Sequence, residues 1–184
     1  MIHYTNRKGQ TYYLKTGTTK TGKPRYYAST DPKKGTNAGA MPGGYVFREN
    51  VNAQVSVGKK QPQQIEDSEL NFVRSHIKKL KCDCREENKG KSIVLHTADR
   101  PEKTGLSSFF NKERLVAYHE QHALYQPMLR FTLIDKTKRY FQTERMCFLG
   151  EPDWIWIGEP GSLELLSPKY IPLLDNHEAL FEKF

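Results

Sequence analysis

The chain has 184 residues, 36% hydrophobic and 27% charged, with a mean hydropathy of −0.76, which suits one globular unit or two small lobes and excludes a large multidomain enzyme. Its formal charge of +8 comes from 29 Lys and Arg against 21 Asp and Glu. No stretch approaches the run of about 18 apolar residues that a membrane-spanning helix needs. Lys8, Lys15 and Lys20 interrupt the place of a secretory leader, and three cysteines make a poor disulfide framework, so the expectation is a cytoplasmic protein with reduced thiols and no membrane contact.

The opening third reads as β-structure. Gln10 to Gly17, with Tyr12, Tyr13 and Leu14, and Pro24 to Ser29, with Tyr26 and Tyr27, flank a polar, glycine-containing connector and so form a hairpin. Thr30 to Gly44 is rich in Asp, Pro, Lys, Gly and Asn and reads as a mobile loop that adds little core. Tyr45 to Glu49 and Ala53 to Lys60 form a second hairpin around Asn50-Val51-Asn52. Residues 1–64 hold eleven bases against Asp31 and Glu49, a net of +9, so the whole positive excess lies in this third.

Helical periodicity begins after Ile65, where Leu70, Val73, Ile77 and Leu80 recur at spacings of three and four, with Asp67 or Ser68 as the expected N-cap. Cys82 to Glu87 and Lys91 to Thr97 bracket Asn88-Lys89-Gly90 as a hairpin. A polar loop from Ala98 to Gly105 leads to a helix from near Asn111 that ends at or before Pro127. Met128 to Ile134 and Arg139 to Phe148 form another hairpin, and Trp154 to Ile157 a short strand. Ser162 to Leu166 and Asn176 to Phe184 read as short helices separated by Ser167-Pro168 and Pro172. Strands and helices are segregated, so the predicted class is α+β, antiparallel hairpins with a few packed amphipathic helices. The expected organisation is a basic β-rich lobe at 1–64 and an α+β body at 65–184, either separate or sharing one core.

Sheet-built nucleic-acid modules combine cations for phosphates with aromatic rings for unpaired bases. Lys15, Lys20, Lys23, Arg25 and Arg48 are the candidate phosphate contacts in the first lobe, and Tyr13 and Tyr27 the candidate stacking platforms. The competing reading is a solvated basic sheet in which one tyrosine of each pair faces a small core. His119 and His122 stand at His-x-x-His spacing, and Cys82 and Cys84 share one strand face, so the four are weak candidate metal ligands, against half-buried histidines and packing thiols. Glu87-Asn88-Lys89, near Asp83, matches a nuclease-like Glu-x-Lys fragment but runs into a turn. Ser107, Ser108 and Cys147 lack the surroundings of a nucleophile, and the glycines form no phosphate-cradling loop. No catalytic residue and no cofactor is indicated. Trp154, Trp156, Tyr170, Phe181 and Phe184 give the C-terminal half apolar surface that a covering helix, or else a second copy, would bury.

The run YYLKTGTTKTGKPRYYAS, followed by GGYVFREN and AQVSVGKKQP, resembles the N-terminal region of a set of bacterial proteins with no established activity, and the stretch from Met128 to Phe184 is similar to their tail. The resemblance implies a bacterial, cytoplasmic protein and carries over no site residues. The leading expectation is a non-enzymatic binding protein whose basic, tyrosine-rich sheet contacts nucleic acid or another polyanion. The alternatives are a protein-interaction module or homodimer using the C-terminal aromatic surface and, behind it, a metal-dependent enzyme.

Overall fold

A computed structural model describes residues 1–98, 112–148, 153–176 and 180. The chain forms two compact units, Met1–Gln61 and Pro62–Phe184. The fold is α+β, mostly antiparallel strand.

The first unit is built on β2 (Thr11–Thr18), which pairs with β3 (Pro24–Ser29) on one side. On its other side β1 (His3–Thr5) pairs with Thr11 to Tyr13, and β4 (Thr36–Asn37) continues the same flank beside Lys15 and Thr16. Strands alternate their side chains between faces. Tyr4, Tyr12, Leu14, Thr16, Tyr26 and Ala28 therefore share one face, and Tyr13, Lys15, Gly17, Arg25, Tyr27 and Asn37 share the other.

The Leu14 face meets a hairpin of β5 (Tyr45–Glu49) and β6 (Val55–Lys59). Tyr4 stacks on Phe47, with ring centres 5.6 Å apart, and Tyr26 meets Tyr45 at the same separation. Polar staples close the end of the unit. Buried Asn6 donates to the Ala53 carbonyl at 2.7 Å, and Arg7 bonds Glu49 and the carbonyls of Asn50 and Val51.

The 30–44 segment departs from its sequence reading. Pairing of β4 with β2, a bond from the Ala38 amide to the Leu14 carbonyl, and burial of Ala38 fasten it to the sheet. Isolated Thr and Asn residues carry no strand periodicity, so only the tertiary partner reveals this strand.

The second unit contains a five-stranded antiparallel sheet in the order β11-β10-β9-β8-β7. The strands are β7 (Asp83–Asn88), β8 (Ser92–Ala98), β9 (Gln126–Asp135), β10 (Tyr140–Cys147) and β11 (Asp153–Trp156). Ile93, Leu95, Leu129, Phe131, Leu133 and Phe141 line one face and form a single core with α1 (Asp67–Ile77), α3 (Leu163–Tyr170) and the 3-10 turn Ile171–Asp175. A further helix, α2 (Lys112–His122), precedes β9.

Two boundary expectations need correction. The N-cap of α1 is Glu66, in a capping box with Glu69, in place of Asp67 or Ser68. Ser167-Pro168 does not end α3, which runs on to Tyr170. Proline removes one helical hydrogen bond, and burial of Leu163, Leu166, Ser167 and Tyr170 offsets that loss. The expected loop from Ala98 to Gly105 and the helix from Asn176 to Phe184 fall largely outside the described residues.

Glu69 accepts from the Glu66 amide at 2.8 Å and pairs with Arg139, on the turn between β9 and β10, tying α1 to the sheet. Glu69→Ala removes both links and is expected to lower the stability of the second unit by about 2 kcal/mol. The urea midpoint followed by tryptophan fluorescence checks this, since Trp154 and Trp156 are the chain's two tryptophans and both lie in this unit.

Candidate functional site

Of the seven residues singled out for a polyanion, Tyr13, Lys15, Arg25 and Tyr27 share the face of the first unit that looks away from the hairpin. Lys20 and Lys23 stand at its edge, on a turn held by bonds between Thr19 and Lys23 and between Gly22 and Thr19. Lys20, Lys23 and Arg25 are exposed and make no ion pair among the described residues. The Arg25 guanidinium lies 5.7 Å from the centre of the Tyr27 ring.

Two of the seven are misplaced for that role. Lys15 is 0% exposed, and its Nζ donates to the Pro32 carbonyl at 2.7 Å and to Asn37 Oδ1 at 2.6 Å, so it offers nothing to an external phosphate. Arg48 alternates with Phe47 and Glu49, which face the sheet, so it lies on the far side of the hairpin against Gly58. It belongs to the opposite surface of the unit.

The tyrosines are less open than bare platforms. Both are half-buried, and Tyr27 packs against Gly17 and reaches Gly35 with its hydroxyl. Gly35 has φ +76°, and any side chain there would collide with that hydroxyl, so a glycine is needed for the chain to close over the ring.

The closing segment brings two cations the sequence reading passed over. Lys33 and Lys34 are exposed and unpaired with any carboxylate among the described residues, on the loop whose Pro32 and Gly35 cover this face. Their backbone amides both donate to Asp31 Oδ1, at 2.8 and 3.3 Å. The face and its rim thus present Lys20, Lys23, Arg25, Lys33 and Lys34 against the single acid Asp31. Adjacent lysines between proline and glycine are an ordinary solvated-loop pattern, and nothing in their spacing tells which face the loop crosses.

The four weak metal candidates do not converge. Cys82 and Cys84 pack against the apolar core, whereas Asp83, between them, points to the opposite face and accepts from Tyr125 at 2.6 Å and meets His119 Nε2 at 2.7 Å. His122 is exposed beside Tyr118. Burial pushes the Cys84 thiol well above its ordinary value, which keeps it protonated and a poor ligand. Among the described residues no three His, Cys, Asp or Glu side chains are grouped to hold a metal ion. Cobalt(II) added to the reduced protein is therefore expected to give no thiolate-to-cobalt absorption band.

The face of the second sheet opposite α1 and α3 carries charges in register. Glu87, Val94, Arg130, Glu144 and Trp156 form one rung across all five strands. Arg130 forks onto Glu144 at 2.5 and 2.6 Å and lies 4.3 Å from the centre of the Trp154 ring. Buried His96 stands 3.1 Å from Glu87, which Lys89 also approaches at 3.3 Å. The Glu-x-Lys fragment thus pairs internally. Ser107 and Ser108 lie outside the described residues, and half-buried Cys147 ends β10.

Burial alone would raise the carboxyls of Glu87 and Glu144, but the close approach of His96 and Lys89 to the first, and hydrogen bonds from Arg130 and Thr132 to the second, hold both below the ordinary range. Asp175 is lowered likewise, the amides of Lys81 and Cys82 outweighing its desolvation. The unfolded chain then protonates at higher pH than the folded one. The stability these groups contribute is complete above the ordinary carboxyl values of 3.8 for Asp and 4.5 for Glu, and is lost as pH falls through the lower folded values. Urea midpoints of the second unit at pH 6, 5, 4 and 3 check this, and Glu144→Gln is expected to flatten the acid limb.

Compared with protein-family models, with curated proteins and with solved structures, the chain matches none.

Proposed function

We propose that the outer face of the first unit is a non-enzymatic binding surface for nucleic acid, contacted through its phosphates. One observation carries the reading: five exposed cations have no carboxylate partner among the described residues, Arg25 beside Tyr27, Lys33 and Lys34 on the loop that covers it and Lys20 and Lys23 on the turn at the end of β2 and β3, in a unit of net charge +9. Concentrated positive charge attracts polyanions and releases their counterions, a gain that depends on local density more than on net charge. The rings of Tyr13 and Tyr27 add partial stacking surface for unpaired bases. Lys15 and Arg48 take no part in phosphate contact. A bacterial, cytoplasmic setting belongs to this proposal, supported by the likeness of the YYLKTGTTKTGKPRYYAS run to bacterial proteins. Among the described residues no helix is long and apolar enough to cross a membrane.

A second reading, self-association or protein docking through β11, rests on the exposure of Trp156 (72%) and Ile155 (40%) on the last strand of the described sheet. Strand edges of this kind are templates for another chain. Sedimentation velocity across a hundredfold concentration range decides it, since a single monomeric boundary throughout would rule out the homodimer.

Fluorescence anisotropy with labelled single-stranded RNA, single-stranded DNA and duplex DNA tests the first reading. Binding is expected to weaken steeply with salt, and each lost phosphate contact on a single strand lowers the log–log slope by about 0.7. The double variant Lys23→Glu with Arg25→Glu is expected to lose most of the affinity and flatten the slope. Unchanged binding would overturn the proposal.

A further inference from the structure

We propose that Lys15 is a positioning residue of the polyanion surface: its buried ammonium latches residues 31–37 over the sheet and so sets where Lys33 and Lys34 meet phosphates. The inference rests on the nucleic-acid reading above and names a residue that acts without touching the ligand.

Lys15 is fully buried, yet no carboxylate pairs with it among the described residues. Its partners are neutral oxygens, the Pro32 carbonyl at 2.7 Å and Asn37 Oδ1 at 2.6 Å, with the centre of the Tyr13 ring 5.9 Å from Nζ. Burying a cation on such terms is expensive, and apolar side chains often replace buried charges at no loss of stability. Core packing alone therefore gives no reason for lysine at this position. The two oxygens supply one, because they lie at opposite ends of a single segment.

That segment is held at its ends by other means. Ser29 and Asp31 bond each other at the exit of β3, and β4 pairs with β2 through Thr36 and Thr16. Between these ends, among the described residues, Lys15 bonds the sheet to the Pro32 carbonyl of the loop, while Gly35 closes on Tyr27. Without the ammonium, the Pro32 carbonyl has no partner on this face, and the chain bearing Lys33 and Lys34 is free to lift toward water. A cation on a lifted loop loses orientation before it meets a phosphate, and so contributes less to binding.

Two measurements on the full chain test the latch, with Lys15→Met keeping an unbranched apolar stem. In the absence of ligand, trypsin cleavage after Lys33 and Lys34 is expected to rise about tenfold, while cleavage after Lys20 on the neighbouring turn stays at the wild-type rate. Asn37→Ala, at an exposed position, removes one of the two bonds and is expected to give the same selective change at smaller size, which keeps the test valid should Lys15→Met fold poorly. In anisotropy titrations with single-stranded RNA, Lys15→Met is expected to weaken binding and flatten the salt slope. In a Lys33→Gln, Lys34→Gln background it should have no further effect, the non-additivity of residues acting through one another.

A uniform rise in cleavage would mean that Lys15 only holds the core together, and unchanged cleavage that the loop needs no latch; either overturns the inference. Additive losses of affinity overturn it as well. If the wild type binds no nucleic acid even at low salt, the functional reading falls and the positioning role with it. If it binds but cleavage is not selective, the latch alone is overturned.

Discussion

The first unit depends on the strict two-residue alternation of β2. Leu14 and Lys15 are neighbours in the chain and both fully buried, yet they point to opposite sides of one sheet. Leu14 goes into the aromatic layer beneath the β5–β6 hairpin, where apolar burial holds the two layers together. Lys15 goes to the other side, where burial depends on a polar loop folding down to meet it. A shift of one residue in the β2–β3 register would send the ammonium into the aromatic layer and the leucine under the loop. The pairing of Leu14 with Ala28 and of Lys15 with Tyr27 thus sets both the core and the basic surface.

The second unit divides its sheet the same way, with a different outcome. Its helix-covered face is wholly apolar at the centre, from Ile93 through Phe131 to Phe141. Its other face carries ion pairs among buried apolar side chains such as Val94 and Met146. Glu144 survives burial as a carboxylate because Arg130 and Thr132 supply three hydrogen bonds to its two oxygens. Charges so matched neutralise one another locally, and the second unit as a whole adds no net positive charge. The excess of the first unit is unmatched, and an unmatched surface charge is available to a ligand.

The strands and helices were largely legible because hydrophobic spacing follows from backbone geometry. Alternation marked the β2–β3 and β5–β6 hairpins, and the spacing of Leu70, Val73 and Ile77 marked α1. The missed features depend on partners distant in sequence. The strand β4 has two residues and no periodicity of its own, the cap of α1 uses Glu66 through its reciprocal bond with Glu69, and α3 tolerates Pro168 because its buried side chains are already in the core.

The candidate surface was legible only in part, for the same reason. The amino-acid sequence by itself determined that positive charge concentrates in the first third, and that Tyr13 and Leu14 point to opposite faces, since composition and the period of a strand are local properties, whereas the β2–β3 register puts Tyr27 on the face of Tyr13. Which cations belong to that face was decided by tertiary structure. Lys15 withdraws into the loop, Arg48 turns away on the hairpin, and Lys33 and Lys34 arrive from a segment with no periodic signal. Cys82 and Cys84 are drawn into the core while Asp83 takes His119 on the other side. A lysine's role depends on whether its ammonium meets water or a carbonyl, and that carbonyl is set by how the chain closes on itself.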